Sequence, residues 1–458
     1  MKNAITLCLL FCCVFAMSQS KQDKELLKLV DKVVAEEYQQ VAPGCVLLIA
    51  KKGQVIYERG FGSANVELNV PMQAEMVFRI GSITKQFTAV AVLQLVEKGR
   101  ISLNDSIQQY LGNFHFKGKT ITIRHLLTHT SGIKGYEEID ARLPNAIRVD
   151  FAAATVIDSL DKLPLDFAPG SRYHYSNSNY FLLGCIIEKL SGKTYQQYLK
   201  ENIFDPIGLS STFYESPSAI IPNRVSGYAW HDEKYWNADY ISMSLVYSAG
   251  ALLSNATNLY KWHSSLFEGK LISPESLVAA TTPQPLANGQ TSEYGYGWFI
   301  RNNNGVKSIG HGGAIDGFRA MENYFPEQDL YITLLCNSDR ETYLSLFQKV
   351  TDILLGRKGE SAVEEIKLDD KILDSYVGTY KNEKYNVSIK LYRANGRIYG
   401  DLSNGTGSYM MFIALSETEF LLPDVKRVRT TAQFVKEGGR AVKLILKQEE
   451  PVEFVRVE

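Results

Sequence analysis

Ser82 and Lys85 are the two residues whose types and spacing most directly suggest chemistry. Residues 82–85 read Ser-Ile-Thr-Lys, and a largely apolar segment, residues 87–96, follows them. On a helix, a Lys three positions after a Ser lies on the same face and can take the proton of the Ser hydroxyl. Burial and the positive end of the helix dipole both favour a neutral Lys, which can act as a base. The pattern therefore predicts a nucleophilic serine with its own base at the start of a buried helix.

The same Ser-x-x-Lys spacing begins at three other positions, Ser18, Ser131 and Ser159. Ser18 ends an apolar N-terminal leader, Ser131 lies in a His-Thr-Ser-Gly turn, and Ser159 is surrounded by charged residues typical of a solvated helix end. Only Ser82 precedes a helix that is apolar on most sides, which indicates central burial. We therefore predict that Ser82 is the nucleophile.

Two later segments could complete such a site. Residues 175–177 read Tyr-Ser-Asn and stand between a Pro-Gly pair at 169–170 and an apolar run at 180–187. Residues 311–313 read His-Gly-Gly and follow a short strand pattern. A Tyr hydroxyl can transfer protons, and paired glycines let a backbone approach a substrate closely. The residue types also allow plainer interpretations: a buried Tyr, a helix N-cap at Asn177 and a β-turn at the glycines.

In this order, the three segments resemble the three motifs of the penicillin-recognising serine hydrolases, and the class C β-lactamase-like branch in particular. That branch contains β-lactamases, D-Ala-D-Ala carboxypeptidases, D-aminopeptidases and β-lactamase-fold esterases. Two further segments agree, Leu-Leu-Thr-His-Thr-Ser-Gly at 126–132 and Tyr-Gly-Tyr-Gly-Trp at 294–298. The resemblance covers roughly residues 25–355.

The resemblance implies catalysis through an acyl-enzyme on three residues. Ser82 would attack a carbonyl carbon, and Lys85 would accept or relay its proton. Tyr175, as a phenolate or through a hydrogen-bonded relay, would pass a proton to the leaving group and later activate water. We expect neither a metal nor another cofactor, although His125 and His129 have a spacing that could bind zinc on a helix.

The resemblance also implies four residues that bind substrate. Asn177 would hydrogen-bond a substrate amide and the Lys85 ammonium. The backbone N–H groups of Ser82 and Ala314 would form an oxyanion hole. The predicted substrate-binding residues are Asn177, His311, Gly313 and Ala314.

His311 marks a departure from the β-lactamases, which have Lys-Thr-Gly at this element. Here an imidazole replaces the fixed ammonium, and Gly312 replaces the Thr whose hydroxyl binds a substrate carboxylate. We therefore predict a serine hydrolase acting on ester or amide substrates, peptide-like and possibly containing D-amino acids. The alternatives are a β-lactamase or D-Ala-D-Ala carboxypeptidase, and a non-catalytic binder of cell-wall peptides.

The elements that must position these residues form an α/β (α+β) pattern. Strand patterns occur at residues 45–50, 55–61, 296–300, 307–309, 318–325 and 330–336, with mostly helix and loop between them. Strands at both ends predict one antiparallel sheet flanked by helices, with an inserted helical subdomain (β-lactamase/transpeptidase-like). We place this hydrolase domain at residues 21–356, and a small C-terminal all-β domain with short-strand patterning at residues 365–458.

Composition limits the partners. The chain of 458 residues has a formal net charge of −1, so charge does not favour binding to nucleic acid. Residues 1–20 combine Lys2, a short apolar run and small polar residues, which predicts a cleaved signal peptide and a secreted or periplasmic protein without a membrane span. The expected partner is a small-molecule or peptide-like substrate, and no oligomeric state is predicted.

Three of the six cysteines lie in this leader. The other three, Cys45, Cys185 and Cys336, lie in apolar runs, which predicts core residues and no disulfide framework.

Overall fold

The computed structural model describes two compact units, which divide between Leu355 and Gly356. The described residues are 23–38, 41–112, 118–137, 148–287, 289–303, 305–357, 366–384, 387–394, 396–402, 409–422, 430–447 and 451–457. The predicted signal peptide, residues 1–20, lies outside them.

The first unit alternates helices and strands. Its elements are, in chain order, α1 (residues 23–37), β1 (Cys45–Lys51), β2 (Gln54–Phe61), β3 (Ser63–Asn65), β4 (Val70–Pro71), β5 (Phe78–Arg79), α2 (Thr84–Glu97), α3 (Gln108–Leu111), α4 (Ile123–Leu127), α5 (Ala153–Asp161), α6 (Asn177–Ser191), α7 (Tyr195–Leu199), β6 (Phe213–Tyr214), β7 (Tyr228–His231), β8 (Lys234–Asn237), α8 (Met243–Gly250), β9 (Leu252–Ser254), α9 (Ala256–Phe267), α10 (Pro274–Ala280), β10 (Phe299–Asn303), β11 (Val306–Ile315), β12 (Phe318–Phe325), β13 (Leu330–Cys336) and α11 (Thr342–Leu354).

Six strands from both ends of this unit form one antiparallel sheet in the order β10-β11-β12-β13-β1-β2. Strand β1 is buried on both faces, and its alternate residues enter two different cores. Val46, Leu48 and Ala50 belong to the core that contains α2. The opposite face packs with α1 and α11. The predicted fold class, helices flanking an antiparallel sheet, is confirmed.

Helix α2 lies at the centre of the larger core. Every residue from Thr84 to Leu95 is buried, so the helix has no solvent face. Phe87 stacks on Trp262 of α9 with ring centroids 4.0 Å apart. A helix enclosed in this way holds its first turn, and therefore the residues just before it, in a fixed position.

Strand β11 is longer than the sequence pattern predicts. It runs from Val306 to Ile315 and includes the glycine pair, where a turn was an open alternative. Glycines weaken a strand signal because they add no side chain to pack. Strand β10, in contrast, begins only at Phe299, since Gly297 adopts φ +93° in the preceding turn against α2.

Within the described residues, no helix is both long enough and apolar enough to cross a membrane. Cys45, Cys185 and Cys336 are buried free thiols, which confirms their assignment to the core.

The second unit is a closed antiparallel barrel preceded by a short helix, α12 (Asp370–Asp374). Its strands are β14 (Gly378–Asn382), β15 (Val387–Ala394), β16 (Arg397–Leu402), β17 (Tyr409–Ala414), β18 (Glu419–Leu422), β19 (Thr430–Glu437), β20 (Arg440–Lys447) and β21 (Val452–Arg456). Strand β14 pairs with β21, which closes the barrel around its own apolar core. A closed barrel leaves no unpaired strand edge.

Because this barrel has its own core and no open edge, we expect residues 365–458 to fold in isolation. The fragment, expressed alone, should unfold in one cooperative transition when followed by circular dichroism during heating. A fragment without a cooperative transition would show that the barrel depends on the first unit.

Candidate active site

Ser82 lies in a single 3₁₀ turn, Gly81–Ile83, that leads directly into α2. Its side chain is half-buried. Gly81 has φ +49°, and a Cβ built on it would lie 2.9 Å from the backbone nitrogen of Ala314. A larger residue at position 81 would therefore push the nucleophile and strand β11 apart. The turn needs glycine here to place Ser82 against the strand.

The Lys85 ammonium group is fully buried and contacts three oxygens. Its Nζ lies 3.0 Å from Ser82 Oγ, 2.7 Å from Asn177 Oδ1 and 2.8 Å from the Ala249 carbonyl oxygen. A neutral Lys has two N–H donors and one lone pair. The amide and carbonyl oxygens can only accept, so they occupy the two donors and leave the lone pair for the Ser82 hydroxyl proton. This geometry suits Lys85 to act as the base for Ser82.

The environment of Lys85 also favours its neutral form. Burial lowers the pKa of Lys85 from its ordinary value to about 7, and the nearby Glu137 carboxylate opposes this change. The Nζ atom also lies 4.8 Å from the centroid of the Tyr175 ring and 5.8 Å from that of Tyr180, and these ring faces, like Glu137, favour the charged form against the larger effect of burial. Near neutral pH, a large fraction of Lys85 can therefore accept a proton.

We expect the kcat/KM of a neutral ester to fall tenfold per pH unit below a midpoint near pH 7, because protonated Lys85 cannot accept the Ser82 proton. Initial rates between pH 5 and 9 at constant ionic strength would measure the midpoint, with stability at each pH as the control. A flat profile between pH 5.5 and 8 would contradict the assignment of Lys85 as the base.

Asn177 is the first residue of α6, and Ser176 occupies the N-cap position. The Asn177 side chain does not cap the helix, since its oxygen accepts from Lys85. The backbone nitrogen of Ser176 donates to His129 Nδ1 at 3.2 Å, which ties this loop to the His-Thr-Ser-Gly turn. Ser176, and not Asn177, therefore occupies the N-cap position, and the Asn177 side chain is available to orient Lys85.

The Tyr175 hydroxyl is buried, and among the described residues it has no hydrogen-bond partner of normal geometry. Burial raises the pKa of Tyr175 well above its ordinary value, and the Ser82 hydroxyl opposes this increase. The resting side chain is thus a neutral phenol. A buried hydroxyl without a partner is costly for stability, and this one lies beside Lys85 and Ser82, where its proton is available for transfer.

Gly313 and Ala314 form a wall of β11 directly beside the nucleophile. A Cβ built on Gly313 would lie 2.0 Å from the Ile80 carbonyl oxygen and 3.3 Å from the Ser82 nitrogen. Strand β10 pairs with β11 only as far as Gly310, so in the described residues the β10-side edge of 311–315 has no strand partner. The turn that carries Ser82 thus packs directly against Gly313 and Ala314, a placement compatible with the predicted oxyanion hole at the Ser82 and Ala314 nitrogens.

His311 is buried, and both of its ring nitrogens are engaged. Nδ1 lies 2.5 Å from the Gly312 carbonyl oxygen, which can only accept, so Nδ1 carries the proton. Nε2 then accepts from the Tyr294 hydroxyl at 3.0 Å. Burial, with Lys85 nearby, lowers the pKa of His311 to about 3. His311 is thus a neutral ring without a free donor, and its geometry suits it to support β11 beside the site.

The structure brings the predicted residues together and adds others that the sequence did not single out. The Ala249 carbonyl belongs to a kinked helix, α8, in which Tyr247 has φ 42°. His129 and Tyr294 lie in segments noted for their resemblance to the family, but without an assigned role. The sequence could not indicate the Ala249 carbonyl, because every residue has a backbone carbonyl. Glu137 belongs to no recognised motif, and only its acidic side chain could have suggested a role.

A buried polar network lies behind α2. Glu322 of β12 accepts from Tyr331 Oη at 2.7 Å and from the Gln86 side chain. Gln86 in turn accepts from Trp262 Nε1 at 3.1 Å. Burial raises the pKa of Glu322 to about 7, although both hydrogen bonds oppose the increase. Gln86 follows the base in the sequence, so this network anchors the same turn of α2.

The raised pKa of Glu322 predicts that this carboxyl destabilises the protein as pH rises. Between about pH 4.5 and 7 the folded state holds a proton that the unfolded state has lost, so unfolding becomes easier with increasing pH. The effect is on the order of 3 kcal/mol at most. Glu322→Gln should therefore raise Tm relative to wild type more at pH 8 than at pH 5. An equal difference at both pH values, or the same pattern in the exposed control Glu268→Gln, would contradict this.

Both units of the chain resemble known protein families. The protein family described as Beta-lactamase matches residues 27–350, and a domain of unknown function (DUF3471) matches residues 363–456. A penicillin-binding protein of Bacillus subtilis is 28% identical over 402 residues, which cover 82% of this chain and 87% of that protein.

Two solved structures share the fold. An octameric penicillin-binding protein homologue from Pyrococcus abyssi is 27% identical with a TM-score of 0.65, covering 94% of this chain and 99% of the other. A D-amino acid amidase from Ochrobactrum anthropi is 23% identical with a TM-score of 0.64, covering 72% of this chain and 98% of the other. At that identity the second likeness concerns the fold alone.

Proposed function

The chain belongs to the β-lactamase family of penicillin-recognising serine hydrolases, and from this premise we propose that it is a secreted enzyme that cleaves ester or amide substrates through an acyl-enzyme on Ser82. The observation that carries the proposal is the set of three contacts at Lys85 Nζ, which directs its lone pair at the Ser82 hydroxyl. The signal-like composition of residues 1–20 supports secretion.

In the acylation step, Ser82 Oγ attacks the substrate carbonyl carbon while its proton moves to Lys85 Nζ. The negative charge that develops on the carbonyl oxygen is stabilised by the N–H groups of Ser82 and Ala314. Loss of one such donor typically costs about 10²–10³-fold in kcat. The tetrahedral intermediate then expels the leaving group, and the acyl group stays on Ser82 Oγ.

The leaving group needs a proton, which Tyr175 is placed to supply. Because burial keeps Tyr175 a neutral phenol, it donates its proton to the leaving nitrogen or oxygen and regains one from the Lys85 ammonium beside its ring. The resemblance allows Tyr175 to act either as a resting phenolate or through a proton relay, and a neutral phenol fits the relay better. In deacylation the same path runs in reverse, with water in place of the leaving group.

The substrate preference rests on His311. Binding a substrate carboxylate at this strand requires a positive charge or a free donor, and His311 offers neither. We therefore propose that esters and amides without a carboxylate at this position are cleaved faster than β-lactams. A β-lactamase or carboxypeptidase remains the alternative, because the catalytic residues would serve it equally well.

Parallel assays with nitrocefin and p-nitrophenyl acetate test this proposal. We expect ester hydrolysis with a kcat/KM at least tenfold above that for nitrocefin, and a single fluorophosphonate adduct in the intact mass. A kcat/KM for nitrocefin equal to or above that for the ester would favour a β-lactamase. Absence of both turnover and adduct, in protein that is folded by circular dichroism, would favour a non-catalytic binder.

A further inference from the structure

Glu137 places an exposed carboxylate beside the site. Its side chain is exposed, and Oε1 accepts from Asn177 Nδ2 at 2.5 Å. The oxygen of the same Asn177 amide accepts from Lys85 Nζ at 2.7 Å. One amide group therefore separates this exposed carboxylate from the base.

Among the residues that the structure describes, no Lys or Arg forms a salt bridge with Glu137. Lys85 is only partly charged near pH 7, and His311 is neutral. Burial raises the pKa of the Tyr136 and Tyr175 hydroxyls, and the Glu137 carboxylate adds a smaller contribution to both increases.

From this geometry we propose that Glu137 determines specificity, by favouring substrates that carry a positive charge on the acyl side and disfavouring those that carry a carboxylate there. The inference rests on the proposed function, because it names the charge of the acyl group that Ser82 accepts. A carboxylate at the rim attracts a cationic group and repels an anionic one, and the like-charge contact contributes to specificity as much as the attraction does.

The neighbouring Gly135 leaves room for this carboxylate. A Cβ built on Gly135 would lie 2.2 Å from Glu137 Oε2. Gly135→Ala would therefore displace the carboxylate while keeping its charge on the protein. This substitution tests whether the position of the Glu137 carboxylate matters, and not only its negative charge.

Three p-nitrophenyl esters of equal acyl length test the inference: one ending in a methyl group, one in a trimethylammonium group and one in a carboxylate. We expect wild type to show a kcat/KM for the cationic ester at least tenfold above that for the anionic ester. Glu137→Gln should bring this ratio to within about threefold of one, and Gly135→Ala should lower it in part. The exposed control Glu268→Gln removes the same charge elsewhere and should keep the wild-type ratio.

Both kcat/KM values of a ratio are measured on the same variant. An effect of Glu137 on the reactivity of Lys85 changes both values by the same factor and leaves their ratio unchanged. A wild-type ratio at or below one, or an unchanged ratio in Glu137→Gln, would overturn the inference while ester hydrolysis still supports the proposed function. If folded wild type hydrolyses none of the three esters, the proposed function fails and the inference fails with it.

Discussion

Ser82→Ala should abolish fluorophosphonate labelling and reduce ester hydrolysis by about 10³-fold or more, because catalytic groups that act as a unit fail together. Ser82 Oγ is the oxygen that Lys85 Nζ reaches at 3.0 Å, beside the wall formed by Gly313 and Ala314. Intact mass and peptide mapping after labelling would locate the adduct, and p-nitrophenyl acetate would report turnover.

The chain offers a matched control in Ser159, which begins the same Ser-x-x-Lys spacing. Ser159 Oγ donates to the Thr155 carbonyl oxygen on the solvent side of α5, and within the described residues no hydrogen bond joins it to Lys162. Ser159→Ala should therefore label and turn over substrate like wild type. Labelling that persists in Ser82→Ala would refute the assignment of the nucleophile.

Tyr175→Phe should reduce kcat by at least about 10²-fold and yet leave Tm unchanged or higher. The hydroxyl that is removed is buried and has no hydrogen-bond partner of normal geometry among the described residues, so the folded protein loses at most a weak contact with the Ser82 hydroxyl. Proton transfer by such a group is worth about 10²–10⁴-fold in rate. Rates on an amide and on an activated ester would measure the effect, which should be larger for the amide because its leaving group needs the proton more.

A second tyrosine provides the contrast. Tyr180 is also buried beside Lys85, but its hydroxyl donates to the Leu127 carbonyl oxygen at 2.9 Å. Tyr180→Phe should therefore lower Tm, because it leaves that carbonyl without this donor. Near-wild-type amide turnover in Tyr175→Phe would show that the proton reaches the leaving group by another path.

The fold class, and which segments meet at the candidate site, could be predicted from the sequence because each motif lies in a distinctive apolar context. Ser82 precedes a helix that is buried on all sides, and such a helix has an unmistakable composition. The resemblance to the penicillin-recognising serine hydrolases is confirmed by the match over residues 27–350. The roles of the individual site residues stay predictions, and the observed distances and hydrogen-bond partners define which substitutions test them.

Other features depend on contacts that a sequence does not carry. The third oxygen at Lys85 is the backbone carbonyl of Ala249, for which any residue would serve. The state of His311 depends on its burial and on the Tyr294 hydroxyl 17 positions earlier. A turn at the glycine pair was compatible with the sequence, but β12 pairs with these residues and extends the strand through them.

The site is assembled from segments that are far apart in the chain, and this orders events during synthesis. The nucleophile at position 82 precedes the oxyanion wall at position 314 by 232 residues. A growing chain therefore carries Ser82 and Lys85 long before β11 exists, and β11 pairs with β12, which in turn pairs with β13 ending at Cys336. Until these strands are made and paired, the serine lacks its electrostatic partner and remains an ordinary alcohol. We therefore expect hydrolysis to begin only after β11, β12 and β13 have been made and paired.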